Sequence, residues 1–313
     1  FHSRFRAERR MELEKRIVKL FGSRGRKDRP KKAILVATQV VEQSLDLDFD
    51  VMISEIAPID LLLQRIGRLH RHERGLRPTG ESAVFYVLLP NDGEFCFGPI
   101  EHVYDEELLL RTYAILQDRE AFNLPEDFRE LIESCYGDSP VSDQIVPSSI
   151  FNEAVQNRRN RIADYINRAG IHLIPSPCRT DFTYADYAHN PVGESEEGER
   201  NSYFVAQTRI GDDTCPVLIL QAPELIDAVR SNTEPNIETL RRLFLQKVSL
   251  PSWWLSNVEP SEGFDTPFSG PGWLRGNRVL PMIDRSWRGM QNNRPFIIRD
   301  DELLGLIIEE AEN

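Results

Sequence analysis

The chain has 313 residues, of which 40% are hydrophobic, and its formal net charge is -12. This length suffices for two domains of ordinary size, each with its own core. The four cysteines, Cys96, Cys135, Cys178 and Cys215, show no C-x-x-C spacing, which argues against a zinc knuckle and a disulfide framework. No apolar run approaches the roughly 20 residues that span a bilayer, and the N-terminus lacks the apolar centre of a signal peptide. We therefore expect a cytoplasmic protein with no membrane segment.

The charge is distributed unevenly along the chain. Residues 1–77 carry 18 Lys and Arg against 11 Asp and Glu, whereas residues 78–313 carry 20 against 39. A basic first quarter in an acidic chain indicates an anion-handling surface at one end only, although a solvated charged face would have the same composition.

The first 90 residues alternate between helical and strand patterns. Their periodicity predicts an amphipathic helix over residues 4–21 that ends at Gly22, a buried strand at 33–38, a second strand at 51–57, a helix after Pro58 and a third strand at 83–89. This order is typical of a parallel sheet flanked by helices. Such a domain needs about five strands, and the chain opens on Phe1 without an initiator Met. We therefore expect only part of an α/β domain, within a larger protein.

The residues after the first 90 predict several helices followed by a small α+β module. Two helices are predicted between residues 103 and 135, the first capped by Asp105 and the second entered through Pro125, and a long polar helix covers 148–169 and ends at Gly170. The Pro-rich and acidic residues 175–200 predict a linker. The segments SYFVAQTRI and CPVLIL flank a turn and predict a hairpin, and FIIRDDELLGLII predicts another.

The stretch QRIGRLHR, residues 64–71, concentrates arginines beside the apolar run Leu61 to Leu63. On a continuous helix Gln64, Arg68 and Arg71 would project from one face. Because a guanidinium keeps its charge and offers forked donors, such a set facing a cleft would stabilise charge on a transferred phosphoryl group. A basic surface helix that merely packs through its leucines is the alternative.

The segment ATQVVEQSLDLDFD, residues 37–50, follows the first predicted strand, at the strand end where α/β sheets place ligands. Thr38 and Gln39 offer a hydroxyl, an amide and main-chain N–H groups to a nucleic-acid phosphate. Asp46 offers a carboxylate that would accept a hydrogen bond from a ribose hydroxyl.

Together these two segments resemble motifs V and VI of superfamily 2 helicases, and in particular the CRISPR-associated nuclease-helicase of type I interference systems. The resemblance continues through FHSRF, YDEELLLRTYAIL, LPEDFRELIESCY and SYFVAQTRIGDDTCPVLIL, and so covers most of the chain. Ser44, where many relatives have glycine, and the ending HRH in place of TGR depart from the wider superfamily in the manner of this branch.

The resemblance implies a fold and a set of roles. The expected fold class is α/β, with the C-terminal half of a RecA-like domain in residues 1–100, a helical linker in 101–175 and an α+β C-terminal domain in 176–313. By analogy, Gln64, Arg65 and Arg68 face the nucleotide, and Arg68 is a catalytic arginine together with Arg71. Arg71 is the finger for the γ-phosphate, Asp46 lies near the ribose, and Thr38 touches the DNA backbone.

Some motifs of a complete motor are missing from the sequence. It contains no G-x-x-x-x-G-K-[ST] loop and no Asp-Glu pair of the Walker B kind, and its six histidines are scattered. We expect no metal site in this chain, no nuclease metal, and binding of ATP and Mg²⁺ only together with N-terminal nuclease and first RecA-like domains. The chain by itself is not expected to hydrolyse ATP.

The function implied is that of the C-terminal part of an ATP-dependent nuclease-helicase that moves along single-stranded DNA and degrades foreign DNA. Its implied partner is a Cascade-type CRISPR surveillance complex. Two alternatives stay open: a docking or regulatory module that binds that complex, DNA or an inhibitor without catalysis, and a different superfamily 2 motor such as a restriction-type translocase.

Two further sets of side chains allow more than one interpretation. The tryptophans suit either a core or base stacking, and a basic cluster on the long helix suits either a solvated face or DNA contact. These residues are Trp253, Trp254, Trp273 and Trp287, and Arg158, Arg159 and Arg161.

Overall fold

The computed structural model describes residues 1–23, 29–42, 45–74, 77, 82–91, 95–119, 121–171, 214–231, 235–255, 268, 274, 276–291 and 294–310. The helices are α1 (Ala7–Phe21), α2 (Ile59–Ile66), α3 (Glu106–Asp118), α4 (Phe128–Tyr136), α5 (Ser148–Ile171), α6 (Pro223–Arg230) and α7 (Ile237–Leu245). The strands are β1 (Val51–Glu55), β2 (Val84–Leu88), β3 (Thr214–Leu220), β4 (Lys247–Pro251), β5 (Arg278–Pro281), β6 (Ser286–Gln291), β7 (Arg294–Asp301) and β8 (Gly305–Glu310).

The chain divides into two compact units. The first unit contains Phe1–Asp50, His70–Arg77 and Asp212–Asn313, and the second contains Val51–Leu69 and Pro78–Gly211. Both units are therefore built from separate stretches of sequence.

The second unit contains a pair of parallel strands. β1 and β2 pair from Val51 opposite Val84 to Glu55 opposite Leu88, and α2 lies between them in sequence. Parallel strands need a crossover, and here the crossover contains a helix, as the sequence predicts. α2 begins after Pro58, whose fixed φ suits a helix start, and buries its apolar side chains. One face of the pair leaves Ile53 and Tyr86 66% and 55% exposed.

Three helices complete the described part of the second unit, where the sequence predicts them. α4 begins at Phe128 rather than at Pro125, and α5 runs one residue beyond Gly170. Leu109 and Leu110 of α3 are fully buried. Two clusters of side chains form the core: Ile56, Phe97, Leu109, Leu110, Tyr113, Val146 and Ala154, and Ala57, Ile59, Leu62, Leu63, Leu108, Leu131 and Cys135.

Asp105 occupies the N-cap position of α3, as predicted, but its side chain makes no capping hydrogen bond. Its carboxylate instead lies 2.9 Å from Arg161 and 3.7 Å from Arg158 of α5. Arg158 also reaches the buried Glu107 at 3.3 Å. These two arginines therefore take part in ion pairs between α3 and α5.

The buried strand predicted over residues 33–38 is wrong. This segment forms no strand, and Ile34 and Val36 are 92% and 79% exposed. An apolar run becomes a buried strand only where neighbours supply ladder partners and cover its side chains. Here its main chain meets Phe1, whose ammonium donates to the Val36 carbonyl and whose carbonyl accepts from the Thr38 amide at 3.0 Å.

The C-terminal residues of the first unit form two three-stranded sheets. β3 lies between β4, which is antiparallel to it, and β5, which is parallel, while β6, β7 and β8 form an antiparallel meander. β7 and β8 confirm the predicted C-terminal hairpin. The other predicted hairpin pairs β3 with residues 202–210, which lie outside the described residues.

The tryptophans of this region differ in their surroundings. Trp254 and Trp287 are buried in a core cluster with Val217, Ile219, Val248, Leu250, Leu255, Leu280, Met282, Phe296, Ile298 and Leu306, which fits the interpretation as core residues. Trp253 is 62% exposed. Trp273 lies outside the described residues.

The start of the chain is bound to this C-terminal module within the first unit. The Leu306 amide donates to the Arg4 carbonyl at 2.8 Å, and Arg6 Nε lies 3.0 Å from the buried Asp300. Gly305 has φ +67°, and a Cβ there would lie 2.7 Å from the Arg4 carbonyl oxygen. Glycine at 305 therefore permits both the turn and the close approach.

No helix among the described residues is long and apolar enough to cross a bilayer.

Leu109→Ala should lower the free energy of unfolding by about 2–5 kcal/mol, because it opens a cavity in a fully buried site. Leu88→Ala, at a side chain that is 58% exposed, is the matched control and should change stability by less than about 1 kcal/mol. Urea titration followed by circular dichroism measures both. Equal losses in the two variants would contradict the described core.

Candidate functional site

The two units divide the predicted site residues between them. Thr38, Gln39, Asp46 and Arg71 belong to the first unit. The second unit contains Gln64, Arg65 and Arg68.

The prediction that Gln64, Arg68 and Arg71 share one helix face is wrong, because α2 ends at Ile66. Gly67 caps the helix, and glycine favours helix ends over helix interiors. His70 then adopts φ 45°, a left-handed conformation that no helix continues through. Gln64 is exposed on the last turn of α2, and Arg68 lies half-buried in the turn that follows.

Arg65 is fixed against the end of β1. Its guanidinium donates to Ser54 Oγ at 2.6 Å, to the Glu55 carbonyl at 3.2 Å and to the Tyr104 hydroxyl at 3.2 Å. These contacts hold α2 to β1 and to the residue that precedes the cap of α3. Arg65 therefore has a structural role in addition to any contact with a nucleotide.

Arg71 lies next to Asp46 in the first unit. Its Nε is 2.9 Å from Asp46 Oδ1, and His72 Nε2 is 3.0 Å from the same oxygen. Desolvation raises the pKa of Asp46, but a hydrogen bond from Ser23 and the charges of His72 and Arg71 outweigh it and hold this pKa below its ordinary value. Asp46 is thus ionised at neutral pH and orients an arginine side chain that remains 42% exposed.

A buried carboxylate lies two residues further on. Asp48 is only 1% exposed; Arg74 Nε lies 2.8 Å from its Oδ2 in an ion pair, and its two oxygens accept from the two terminal nitrogens of Arg77 at 3.1 and 3.2 Å. Asp50 accepts from the same two arginines. These four residues form what we call the aspartate–arginine cluster, which joins residues 48 and 50 to residues 74 and 77.

Sequence reasoning missed the aspartate–arginine cluster, although a signal was present. Acidic residues recur at every second position from 46 to 50, and arginines recur at every third position from 71 to 77. Complementary charge runs of this kind indicate that two segments pair. Only the structure shows which aspartate is buried.

Thr38 and Gln39 lie at the start of a short 3₁₀ turn, Gln39–Val41, and both are exposed. The Thr38 amide already donates to the Phe1 carbonyl. This N–H group is therefore occupied and does not reach a phosphate. Both side chains point to a surface that a ligand can reach.

No group of three or more His, Cys, Asp or Glu side chains within the described ranges could hold a metal ion.

Comparisons with known proteins agree on one family. A family model described as CRISPR-associated nuclease/helicase Cas3, C-terminal, matches residues 1–74. The CRISPR-associated endonuclease/helicase Cas3 of Thermus thermophilus is 34% identical over 324 residues, which cover 98% of this chain and 34% of that protein.

Solved structures give the same result at the level of the fold. The crystal structure of T. fusca Cas3-ADP matches with a TM-score of 0.74 at 28% identity and covers 98% of this chain and 35% of that chain. A chain of a CRISPR RNA-guided surveillance complex, pre-nicking, matches with a TM-score of 0.71 at 27% identity and covers 98% of this chain and 37% of that one. The chain thus spans about a third of the length of these relatives. The match confirms the predicted α/β fold class, which is half of a RecA-like domain followed by a small α+β domain.

Arg65→Ala should lower the free energy of unfolding by about 1–3 kcal/mol, because Ser54 and Tyr104 lose a charged partner. Its neighbour Gln64 is exposed, so Gln64→Ala should stay within about 0.5 kcal/mol of the wild type. Thermal unfolding of the two variants provides the comparison. An unchanged midpoint for Arg65→Ala would refute the structural role.

Proposed function

The chain corresponds to the C-terminal part of the CRISPR-associated Cas3 nuclease/helicases, and on that premise we propose that it supplies the arginine side of an ATP site. The complete protein would be an ATP-dependent motor that moves along single-stranded DNA and degrades foreign DNA. The observation that carries the proposal is the position of Arg71. Its side chain is ion-paired with an ionised aspartate, is 42% exposed, and belongs to a segment anchored by a buried carboxylate.

The chemistry of this pair suits a nucleotide. The Arg71 guanidinium keeps its charge at any working pH and matches phosphate oxygens with its forked donors. Asp46 is ionised and offers acceptors to a ribose hydroxyl. We propose that the terminal phosphate draws Arg71 away from Asp46, so that the guanidinium stabilises charge that develops during hydrolysis. Gln64 and Arg68 would contribute further donors, and Arg65 mainly positions α2.

The other side of the ATP site, the phosphate loop and the magnesium ligands would come from regions outside this chain. The Cas3 relatives are about three times as long as the matched segment, and one of them is described as an ADP structure. The exposed face of β1 and β2, with Ile53 and Tyr86, supports this proposal, because an apolar sheet face is normally covered by packed helices. Activity would therefore require the complete cytoplasmic enzyme.

The proposed nucleic-acid contact is made by Thr38 and Gln39, whose exposed side chains suit the backbone of single-stranded DNA. The proposed protein partner is a Cascade-type surveillance complex, because a structural relative is a chain of such a complex. The alternative of a non-catalytic docking module is favoured by exposed apolar side chains in the segments that connect the C-terminal strands, among them Ile283, Leu303 and Trp253.

In the complete enzyme, Arg71→Ala should lower the turnover number for ATP on the order of 10³-fold while ATP binding changes little, by analogy with arginine fingers. Arg16→Ala, at an exposed arginine of α1 in the same unit, is the control and should keep wild-type turnover. DNA-stimulated phosphate release and equilibrium nucleotide binding provide the two readouts. Wild-type turnover in Arg71→Ala would overturn the proposed function.

The double change Thr38→Ala and Gln39→Ala should weaken binding of single-stranded DNA by about 3–10-fold and reduce its dependence on salt only slightly, because the lost contacts are uncharged. Gln117→Ala, at an exposed position on α3, is the control. Fluorescence anisotropy with a labelled oligonucleotide at several salt concentrations measures the effect. Unchanged affinity at every salt concentration would exclude this DNA contact.

A further inference from the structure

The residues after motif VI fold back onto motif V within the first unit. The His70 amide donates to the Phe49 carbonyl at 3.1 Å, and His70 Nε2 lies 3.2 Å from the Asp50 carbonyl oxygen. His70 has φ 45°, a conformation that a residue other than glycine keeps only when its surroundings fix it. The return of the chain at this point is therefore imposed by tertiary contacts.

Asp48 is the centre of those contacts. Besides its bonds to Arg74 and Arg77 in the aspartate–arginine cluster, Asp48 Oδ1 accepts from the main-chain amide of Arg71 at 3.0 Å. A carboxylate that is 1% exposed is costly to bury unless it is fully paired, and here both oxygens accept charged donors. One buried anion thus determines where residues 71, 74 and 77 lie.

Arg71 is held at two points by two different aspartates. Asp48 holds its main chain, and Asp46 holds its side chain at 2.9 Å. The two aspartates differ in burial, because the Asp46 side chain is 48% exposed whereas that of Asp48 is 1% exposed. A ligand can therefore compete for Asp46, while Asp48 is out of its reach.

From this geometry we propose that Asp48 is a positioning residue for Arg71. It fixes the main chain at Arg71 and pairs with Arg74 and Arg77, so that the Arg71 guanidinium can leave Asp46 for a phosphate without displacement of the segment that carries it. Asp48 itself touches neither nucleotide nor DNA. The proposal rests on the proposed function, since it assigns Asp48 an effect on turnover through Arg71.

The first test is steady-state ATP hydrolysis by the complete enzyme. Asp48→Asn preserves the size of the side chain but removes the buried charge that holds the Arg71 segment. We expect kcat to fall by about 10–100-fold, while KM for ATP changes by less than about 3-fold. Asp227→Asn is the control. Asp227 is exposed on α6 in the same unit and lies outside the aspartate–arginine cluster, so Asp227→Asn should stay within about 3-fold of the wild type.

The second test asks whether the effect passes through Arg71. Arg71→Ala is combined with Asp48→Asn, because alanine leaves no cationic side chain at position 71 for Asp48 to position. If Asp48 acts through Arg71, Asp48→Asn should lower the residual kcat by less than about 3-fold in the Arg71→Ala background, compared with its full effect in the wild type. Losses that simply multiply would mean a general structural role and would overturn the proposal.

The outcomes separate this proposal from the one on which it rests. If Arg71→Ala turns over ATP normally, the proposed function fails and the positioning role fails with it. If this variant is impaired but Asp48→Asn has wild-type kcat, only the positioning role fails. Should Asp48→Asn not fold, Arg77→Lys is assayed by the same criteria, since it keeps the charge and loses the fork to Asp48, and wild-type kcat in that variant would also overturn the proposal.

Discussion

The pairing of the buried Asp48 with Arg74 and Arg77 determines the course of the chain around the candidate site. A carboxylate removed from water is stable only if donors satisfy both of its oxygens, and the donors here come from a segment more than twenty residues away. That requirement brings Arg71, Arg74 and Arg77 onto residues 46–50, in spite of the unfavourable φ of His70. Arg71 is the residue of this segment whose side chain stays half-exposed beside the ionised Asp46. A structural ion-pair cluster thus supports a side chain that is available for chemistry.

The same unit shows how distant parts of the sequence come together. The carbonyl of Arg4 accepts from Leu306, and Arg6 pairs with the buried Asp300, which also accepts from Gln221 at 2.7 Å. The start of the chain and its C-terminal sheets therefore share main-chain and side-chain contacts.

Local pattern was sufficient to predict most elements but not their partners. The amphipathic period of α1, the strand–helix–strand order of β1, α2 and β2, and the hairpin of β7 and β8 were all predictable, because each depends on neighbouring residues. Residues 33–38 have the composition of a buried strand, yet Ile34 and Val36 are exposed, because burial depends on partners that local composition does not specify. The continuous helix expected through Arg71 failed for a similar reason, since Gly67 ends α2 and tertiary contacts turn the chain at His70.

The candidate site was predictable in its residue types but not in its geometry. The resemblance to motifs V and VI identified Asp46 and Arg71, and the structure brings these two together at 2.9 Å. Asp105 was predicted as a helix cap and instead pairs with arginines of α5, because a charged partner competes with the free N–H groups of a helix end. Asp48 was one of three similar aspartates in the sequence. Its importance follows from burial, which depends on long-range pairing that spacing alone does not reveal.

In the function proposed above, the Arg71 guanidinium moves from Asp46 to the terminal phosphate of ATP. The most direct measurement is a structure of the complete enzyme with a non-hydrolysable ATP analogue, from which the distance between the Arg71 nitrogens and the γ-phosphate oxygens is read. We expect a charge-assisted hydrogen bond of about 3 Å, with Asp48 still bound to Arg74, Arg77 and the Arg71 amide. A bound analogue whose γ-phosphate is out of reach, with Arg71 still paired to Asp46, would contradict it.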